Sequence, residues 1–319
     1  MTGFDPQTSV VLPRPQGAPP GAEAAGWIAV DWGTTRLRAW AMRGSRVLAG
    51  AGSGDGMGTL DPGRFEPALL DLIGPWLTPD RRTTVVACGM VGARQGWIEA
   101  PYIPVPAPPL SNGTVRAPAS DPRLDVRIVP GLKQARPADV MRGEETQIAG
   151  FLAGAAGFDG VLCLPGTHTK WAAVSAGEVT EFSTFMTGEL FGLLAKHSVL
   201  RPYVDADWDA EVFAKAVGAA RARPEALAAE LFTIRAESLL TGSGGGAARL
   251  SGLLIGAELA GAAVHFADRP VALIGEAGLA GHYAAALALQ GVTAEIADAT
   301  ACTLAGLSAA QMGLEEAAP

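Results

Sequence analysis

The sequence predicts an α/β protein that folds in two parts. Its 319 residues exceed the usual size of one compact core. Segments with the spacing of strands and of helices alternate along the chain. A strand, a glycine turn and a second strand at 28–40 have a counterpart at 161–174, so the opening arrangement occurs twice. With 49% hydrophobic and 18% charged residues, the chain can bury a full core.

The first part is expected to span 27–150, after a tail at 1–26 whose proline and glycine content predicts disorder. The tail has neither the basic start nor the apolar centre of a signal peptide. From Trp27 the pattern predicts a three-stranded meander, in WIAVDW, RLRAWAM and VLAGAG. A helix in RFEPALLDLIGPWL, a buried strand in TTVVACGM and an ordered loop over 89–110 follow. A strand in DVRIVPGL and a helix that opens with RGEE complete this part.

The second part is expected to span 151–299. After its own strand, turn and strand, the pattern predicts mostly helices, in GELFGLLAKHSVL, DAEVFAKAVGAA, PEALAAELFTIRAESLL and RLSGLLIGAELAGAAVHF. PVALIGEAGLAGHY predicts a strand, a glycine turn and a helix, and TAEIAD predicts a short strand. The last helix, within 300–319, is expected to return to the first part. GSGGGA at 242–247 fits a GxGxxA pattern but follows a helical run, so we interpret it as a flexible loop.

Charge, cysteine content and apolar runs limit the classes of function. The net charge of −8 argues against a nucleic-acid surface, whose footprint is basic. Local cations must therefore attract any anionic substrate. Cys88, Cys163 and Cys302 form no CxxC pair and are expected to be buried thiols in a reduced, cytoplasmic setting. The apolar runs are short and end in glycine or proline, so we expect no transmembrane helix and no membrane partner.

The first hairpin, DWGTTRLRAW, has the composition of a phosphate-binding turn. Asp31 ends a buried strand and is a candidate for orienting a metal ion, while Gly33 allows the backbone to approach an oxyanion. Thr34 and Thr35 offer hydroxyl and amide hydrogens. The alternative is an ordinary hairpin in which the aspartate caps its own turn.

The second hairpin, PGTHTKW, presents the same types of group. Gly166 occupies the turn, and Thr167 and Thr169 supply hydroxyls. Two hairpins that each present glycine and hydroxyl groups can close on one polyphosphate from opposite sides. The occurrence of two similar hairpins therefore favours a nucleotide phosphate as the ligand.

Six separated strings carry a resemblance to a known family. DWGTTRLRAW, GMVGARQGWIEAPYIPVPA, MRGEETQIAG, PGTHTKW, FMTGELFGLLAKHSVL and SGLLIGAE together resemble the 2-dehydro-3-deoxygalactonokinase family, over roughly residues 27 to 312. That family belongs to the superfamily of actin, sugar kinases and heat-shock ATPases. The resemblance implies two ribonuclease-H-like lobes that face each other across a nucleotide-binding cleft. The sugar acid would bind to the first lobe and adenosine to the second.

The resemblance implies ATP-dependent phosphorylation of 2-keto-3-deoxygalactonate at its 6-hydroxyl, with ATP and Mg2+ as cofactors. Phosphoryl transfer needs a base for the hydroxyl proton. Glu144 and Glu145 are the candidates, because related sugar kinases often carry the catalytic carboxylate at the start of this helix. Adjacent helical residues point about 100° apart, so only one of them can face the substrate, and we favour Glu144. The alternative is that both acids only stabilise the helix N-terminus.

The remaining site candidates are residues whose type and position suit a sugar acid or a nucleotide. Arg142 and Arg94 are candidates for binding the sugar-acid carboxylate, since a guanidinium suits that geometry. Trp97 and Tyr102 are candidates for a wall against the sugar, although packing of their own loop is an equal alternative. Lys170 and His168 are candidates for contacting a phosphate or the sugar-acid carboxylate. Gly275 and Gly278 are candidates for the turn that borders adenosine. For Lys170 a solvated strand position is the alternative.

Other classes of function find less support in the sequence. The chain has no GxxxxGK[ST] and no GxSxG motif, which disfavours a P-loop enzyme and an esterase. A non-catalytic nucleotide-dependent protein would be expected to lose the acids at the helix start, and both are present. Another kinase or acyl-phosphate reaction of the same superfamily stays open.

Overall fold

The computed structural model describes residues 25–111, 113–205, 207–242 and 244–316. The tail predicted at 1–26 therefore lies outside the described residues, except for Ala25 and Gly26. The chain divides into two compact units. The N-terminal unit runs to Phe158 and includes Ala176–Thr180 and the chain from Ala299. The C-terminal unit consists of Asp159–Ser175 and Glu181–Asp298.

The secondary structure of the first half of the chain is mainly β. Its helices are α1 (Phe65–Ile73) and α2 (Glu144–Gly154). Its strands are β1 (Trp27–Trp32), β2 (Leu37–Arg43), β3 (Arg46–Ser53), β4 (Thr83–Cys88), β5 (Tyr102–Pro104), β6 (Val115–Arg116), β7 (Leu124–Ile128), β8 (Gly131–Ala135) and β9 (Ala138–Met141).

The second half of the chain is mainly helical. Its strands are β10 (Gly160–Leu164), β11 (Thr169–Ser175), β12 (Glu178–Phe185), β13 (Val271–Gly275) and β14 (Ala294–Asp298). Its helices are α3 (Thr187–His197), α4 (Ala210–Ala222), α5 (Leu227–Thr241), α6 (Gly246–Phe266), α7 (Ala277–Ala288) and α8 (Ala299–Glu316).

Each unit is built on one mixed sheet with the same arrangement. The first sheet has the order β3-β2-β1-β4-β7-β6, and β1 is antiparallel to β2 but parallel to β4. The second has the order β12-β11-β10-β13-β14, and β10 is antiparallel to β11 but parallel to β13. A meander thus lies on one side of each central strand and parallel strands on the other. The predicted α/β class with two ribonuclease-H-like sheets is confirmed.

The strand order explains where functional side chains collect. The carboxyl ends of parallel neighbours meet at one edge of a sheet. In the N-terminal unit Asp31 on β1 therefore pairs with Cys88 on β4. In the C-terminal unit β10 and β13 end side by side in the same way, with Cys163 opposite Leu273.

The loop predicted over 89–110 is ordered but contains a strand that the sequence did not predict. β5 pairs with β8, and β8 with β9, in a small three-stranded sheet. The β8–β9 hairpin was missed because its strands are short and its sequence, GLKQARPADVM, is polar and interrupted by proline.

The glycine-rich segment predicted as a loop at 242–247 becomes helical earlier than expected. α5 ends at Thr241 with Gly242 in the left-handed region, and α6 already begins at Gly246. A Cβ at Gly246 would lie 1.9 Å from the Tyr203 carbonyl oxygen. This glycine therefore permits close packing of the helix start.

The boundary expected near residue 150 falls inside α2, and the N-terminal unit continues to Phe158. The reason is the contact of α2 with the last helix. A Cβ at Gly150 would lie 1.8 Å from the Cys302 carbonyl oxygen, and one at Gly306 would lie 1.9 Å from the Thr146 carbonyl oxygen. Two glycines thus let α2 and α8 pack backbone against backbone, and α8 belongs to the N-terminal unit.

Within the described residues, one helix is long and apolar enough to cross a membrane by length and composition, namely α6. Its apolar window is 61% buried inside the protein. It packs against α3, α4 and α5 and carries the buried Glu258. α6 is therefore the core helix of the C-terminal unit, and it is longer and more apolar than the sequence predicted for any run.

Candidate active site

Asp31 lies at the carboxyl end of β1 and is partly exposed. Its Oδ2 accepts a hydrogen bond from Arg38 Nη2, and the two side chains form an ion pair. β1 and β2 place these residues directly opposite each other. Arg38 also lies 3.4 Å, through Nη1, from Thr300 Oγ1 at the start of α8. Arg38 is a site residue that the sequence did not predict, although pairing Trp32 with Leu37 across the turn places Arg38 opposite Asp31.

The first hairpin is held by backbone hydrogen bonds on one side and is accessible to solvent on the other. The Gly33 and Thr34 carbonyl oxygens accept hydrogen bonds from the amides of Met57 and Gly58, at 2.9 and 2.8 Å. A Cβ at Gly33 would meet only a carbonyl oxygen at 3.8 Å, so the protein itself leaves room there. Thr34 and the next residue, Thr35, are exposed. The predicted phosphate-binding groups are therefore accessible on a rigid turn.

The start of α2 lies against the end of β4, beside Asp31. Gly89 and Gly143 both have positive φ, +93° and +108°. A Cβ at Gly143 would lie 3.3 Å from the Gly89 Cα, and a Cβ at Gly89 would lie 2.8 Å from the Trp32 carbonyl oxygen and 3.5 Å from Asp31 Oδ1. Only glycine allows this approach of three backbone segments. The Asp31 carboxylate and the first turn of α2 are thereby brought together.

The two adjacent glutamates at the start of α2 have different environments. Glu144 is partly exposed, and its Oε2 accepts a hydrogen bond from the Arg142 amide at 3.1 Å. Glu145 is fully buried and accepts hydrogen bonds from the Gly143 amide at 2.6 Å and from Thr146 Oγ1 at 2.9 Å. Burial, followed by the charge of Glu144, raises the pKa of Glu145 to about 8. Glu145 is therefore mostly protonated at neutral pH.

Arg142 is a buried cation with an unsatisfied donor. Its guanidinium stacks on the Tyr102 ring at 4.2 Å and donates through Nη2 to the Ala100 carbonyl oxygen at 2.7 Å. Only 7% of the residue is exposed. Nη1 has no hydrogen-bond partner among the described residues and lies over the bare backbone of Gly92. A buried donor without a partner is costly. Nη1 is fully buried, so an acceptor from a ligand could reach it only after a neighbouring group moved.

Two of the candidates near Arg142 have other partners. Arg94 is a surface residue with 80% of its side chain exposed, and its Nε lies 3.5 Å from Glu99 Oε1. Trp97 packs into the core, stacked on Phe65 at 6.4 Å and edge-on to Trp32 at 6.1 Å. Its indole donates to the Pro118 carbonyl oxygen. For Trp97 the structure has the loop-packing arrangement that the sequence left as the alternative.

The second hairpin is braced by the start of α3. The Glu189 amide donates to the Thr167 carbonyl oxygen at 2.9 Å, and a Cβ at Gly188 would lie 2.2 Å from the Gly166 carbonyl oxygen. Around Gly166 itself a Cβ would meet nothing within 4 Å. Thr167 and His168 are exposed, and His168 Nε2 lies 2.5 Å from Glu189 Oε2. The front of this turn is thus as open as that of the first hairpin.

Thr169 and Lys170 are buried, whereas the phosphate-binding prediction requires accessible side chains. Thr169 is fully buried, and its hydroxyl bonds to the Tyr283 hydroxyl at 2.9 Å. Lys170 is 4% exposed and pairs with Leu164 inside the sheet. Their burial arises because both faces of β11 are covered. Lys170 is therefore not the solvated strand residue of the alternative, and the exposed threonine of this hairpin is Thr167.

The turn between β13 and α7 adjoins the second hairpin. Gly275 ends β13, and its Cβ position is 3.6 Å from Pro165 Cδ and 3.3 Å from Ala280 Cβ. Gly278, in the first turn of α7, is exposed. Gly166 and Gly278 thus belong to neighbouring turns at one edge of the C-terminal sheet.

The residues present fit a nucleotide with its metal ion. The described residues form no cluster of three or more His, Cys, Asp or Glu side chains that would hold a metal alone. Mg2+ commonly takes one or two carboxylates, several waters and substrate phosphates, so Asp31 suffices as a protein contribution. The open backbone at Gly33 and Gly166 leaves space that a Cβ would occupy. Both turns therefore suit close approach of phosphate oxygens.

The chain is an ATP-dependent carbohydrate kinase, as its match to a kinase family along nearly its whole length shows. The family model of 2-keto-3-deoxy-galactonokinase matches residues 31–310. The chain belongs to this family.

Named relatives agree with the family match. The probable 2-dehydro-3-deoxygalactonokinase of Rhizobium meliloti (strain 1021) is 42% identical over 295 residues, which cover 89% of this chain and 96% of the relative. The 2-dehydro-3-deoxygalactonokinase of Escherichia coli (strain K12) is 34% identical over 304 residues, 92% of this chain and 98% of the relative. A crystal structure of a protein of this family from Sinorhizobium meliloti superposes with a TM-score of 0.83 at 39% identity, covering 92% of this chain and 98% of that one.

Proposed function

We propose that this protein phosphorylates 2-dehydro-3-deoxy-D-galactonate on its 6-hydroxyl, forming 2-dehydro-3-deoxy-6-phosphogalactonate and ADP in galactonate catabolism. The observation that carries the proposal is family membership along nearly the whole chain, with two relatives named for this activity. The accessible hairpins and the acidic start of α2 are the groups that such a reaction needs.

We assign the base to Glu144. A base must be unprotonated to accept the hydroxyl proton, and Glu145 is buried with a pKa of about 8. Glu144 is partly exposed at the same helix start, directly after Gly143, which packs on Gly89. Its position suits removal of the 6-hydroxyl proton as the oxygen attacks the γ-phosphorus.

We assign the sugar-acid carboxylate to Arg142. Its unpartnered Nη1 provides a charged donor, and the Tyr102 ring fixes the plane of the guanidinium. Arg94 cannot provide the same contact, because 80% of its side chain is exposed and water screens an ion pair there. Binding of the carboxylate in this way would orient the opposite end of the substrate, which carries the 6-hydroxyl.

We assign the phosphates of ATP to Gly33, Thr34 and Thr35 in the first hairpin and to Gly166 and Thr167 in the second. Adenosine is assigned to the turn with Gly275 and Gly278 in the C-terminal unit, and the sugar acid to the N-terminal unit. Asp31 would hold Mg2+, which when bound neutralises charge that develops on the phosphate oxygens. His168 extends from the second hairpin as a further contact for phosphate.

We propose a cytoplasmic location for the protein. Cys88, Cys163 and Cys302 are buried and form no disulfide, which suits a reducing compartment. ATP is supplied there as the phosphoryl donor. The acidic net charge gives no basis for a nucleic-acid partner.

A coupled ADP-release assay across several 2-keto-3-deoxy sugar acids tests the proposal. Turnover is expected with the galactonate derivative at a higher kcat/KM than with its gluconate epimer. Faster turnover with another sugar or sugar acid would move the chain to a different kinase specificity. Nucleotide binding without turnover on any of these acids would contradict the proposed reaction.

A further inference from the structure

Glu258 is a buried acid in the C-terminal unit to which the reaction assigns no role. It lies on α6, is 3% exposed and has no cationic partner among the described residues. Three side chains donate to it instead. Trp171 Nε1 donates to Oε1 at 2.7 Å, and Oε2 accepts from Tyr283 at 2.7 Å and from the Thr187 hydroxyl. Such a set of donors satisfies an ionised carboxylate.

Each donor belongs to an element that shapes the candidate nucleotide site. Thr187 is the first residue of α3, and the next two residues pack on the second hairpin. Tyr283 lies on α7, whose first turn contains Gly278. Trp171 lies on β11, directly after the hairpin.

The network also reaches the hairpin itself through a second hydroxyl. Thr169 bonds to the Tyr283 hydroxyl, which in turn donates to Glu258. With Glu258 ionised, Thr169 must donate to Tyr283 so that Tyr283 can donate onward. Thr169, Tyr283 and Glu258 thus form one directed chain of hydrogen bonds from the hairpin to α6.

We propose that Glu258 is a positioning residue for the nucleotide. Its carboxylate fixes the second hairpin, the start of α3 and helix α7 in one arrangement, and it thereby sets the affinity for ATP without touching it. The proposal rests on the proposed function, because it takes the second hairpin and α7 as nucleotide-binding elements.

Two opposing effects act on the Glu258 carboxyl group, so the positions of its hydrogen-bond donors depend on this one side chain. Burial raises the pKa of Glu258 to about 7, and the hydrogen bonds from Thr187, Trp171 and Tyr283 act in the opposite direction. A neutral amide in its place would point an N–H group at one of the donors. At least one hydrogen bond to the hairpin elements would then be lost.

The test is direct binding of MgADP by calorimetry, together with both KM values, for wild type, Glu258→Gln and Tyr283→Phe. Glu258→Gln is expected to raise the Kd for ADP and the KM for ATP by about tenfold or more, with the sugar-acid KM within about twofold. Tyr283→Phe, which breaks the link to Thr169, is expected to shift the same two values by a smaller factor. Glu211→Gln is the matched control, because that side chain is 88% exposed on α4.

An unchanged Kd for ADP in folded Glu258→Gln would overturn the proposal, as would an equal rise of both KM values, which marks general loss of structure. If Glu258→Gln does not fold, a wild-type Kd in Tyr283→Phe overturns it instead. Wild-type protein that binds MgADP but phosphorylates none of the sugar acids would refute the proposed function, and the ADP comparison would still decide the role of Glu258.

Discussion

Replacing Glu145 by glutamine is expected to change how the stability of the protein depends on pH. The pKa of Glu145 is about 8 in the folded protein, against an ordinary value of 4.5, chiefly because the side chain is fully buried. Between these two pH values the folded state retains a proton that the unfolded state has lost. The stabilisation linked to that proton is fully present below pH 4.5 and is lost as the pH rises through about 8.

The magnitude follows from the width of this interval. One retained proton changes the free energy of unfolding by about 1.4 kcal/mol per pH unit, so the total is on the order of 5 kcal/mol. Glutamine cannot ionise, but its amide can still accept from the Gly143 amide and donate to Thr146 Oγ1. The variant is therefore expected to match wild type at about pH 4 and to be more stable by several kcal/mol at about pH 8.

Urea unfolding at both pH values, followed by tryptophan fluorescence, measures this difference. Five of the seven tryptophans lie in the N-terminal unit with Glu145. Glu144→Gln is the companion variant. It should keep most of the wild-type pH dependence, because the charge of Glu144 is only the second cause of the raised pKa of Glu145. Its kcat should fall by roughly 10²–10⁴-fold, since the assigned base is lost. A stability difference between Glu145→Gln and wild type that is the same at both pH values would refute the reasoning.

Three further predictions test other parts of the structure. Asp31→Asn is expected to lower kcat by at least about 10²-fold while the fold persists, and near-normal turnover at saturating Mg2+ would contradict a metal role. Arg142→Lys should raise the sugar-acid KM about tenfold and the ATP KM much less, whereas Arg94→Lys should leave both unchanged; equal effects of Arg142→Lys on both substrates would argue against a carboxylate contact. Gly306→Ala should lower stability by about 1–3 kcal/mol, because the Cβ would lie 1.9 Å from a carbonyl oxygen of α2. Gly313→Ala on the same helix is its control, since a Cβ there meets nothing within 4 Å, and equal melting temperatures for the two variants would count against the packing argument.

The sequence predicted those parts of the site that depend on local signals. A strand that carries Asp31 near its end and turns through Gly33 is a short-range pattern, and so is a helix that begins after Gly143. Both hairpins and the helix start were located in this way. The resemblance of six separated strings then supplied the order in which these elements occur.

Features that depend on distant contacts escaped the prediction. Thr169 was expected to bind phosphate, but its hydroxyl meets Tyr283, 114 residues away in the chain. Glu258 meets Trp171 across 87 residues, and no local pattern marks it as the centre of a network. Arg142 was predicted as a substrate residue, whereas its stacking on Tyr102 depends on the small sheet of β5, β8 and β9 that the sequence analysis missed. Side-chain environment is set by tertiary packing, which the spacing of residues along one chain does not encode.

The return of α8 to the N-terminal unit has a consequence for synthesis of the chain on the ribosome. One face of the first sheet, with Trp27, Trp40 and Met42, shares an apolar cluster with Leu307 of α8. That face of the sheet is covered only after α8, the last helix, has been translated. At roughly 5–20 residues per second, about ten seconds or more separate the release of α2 from that of α8. The C-terminal unit is complete at Asp298 and can fold while the nascent N-terminal unit still exposes this tryptophan-rich surface. The unit that is synthesised first is therefore the one that completes its fold last.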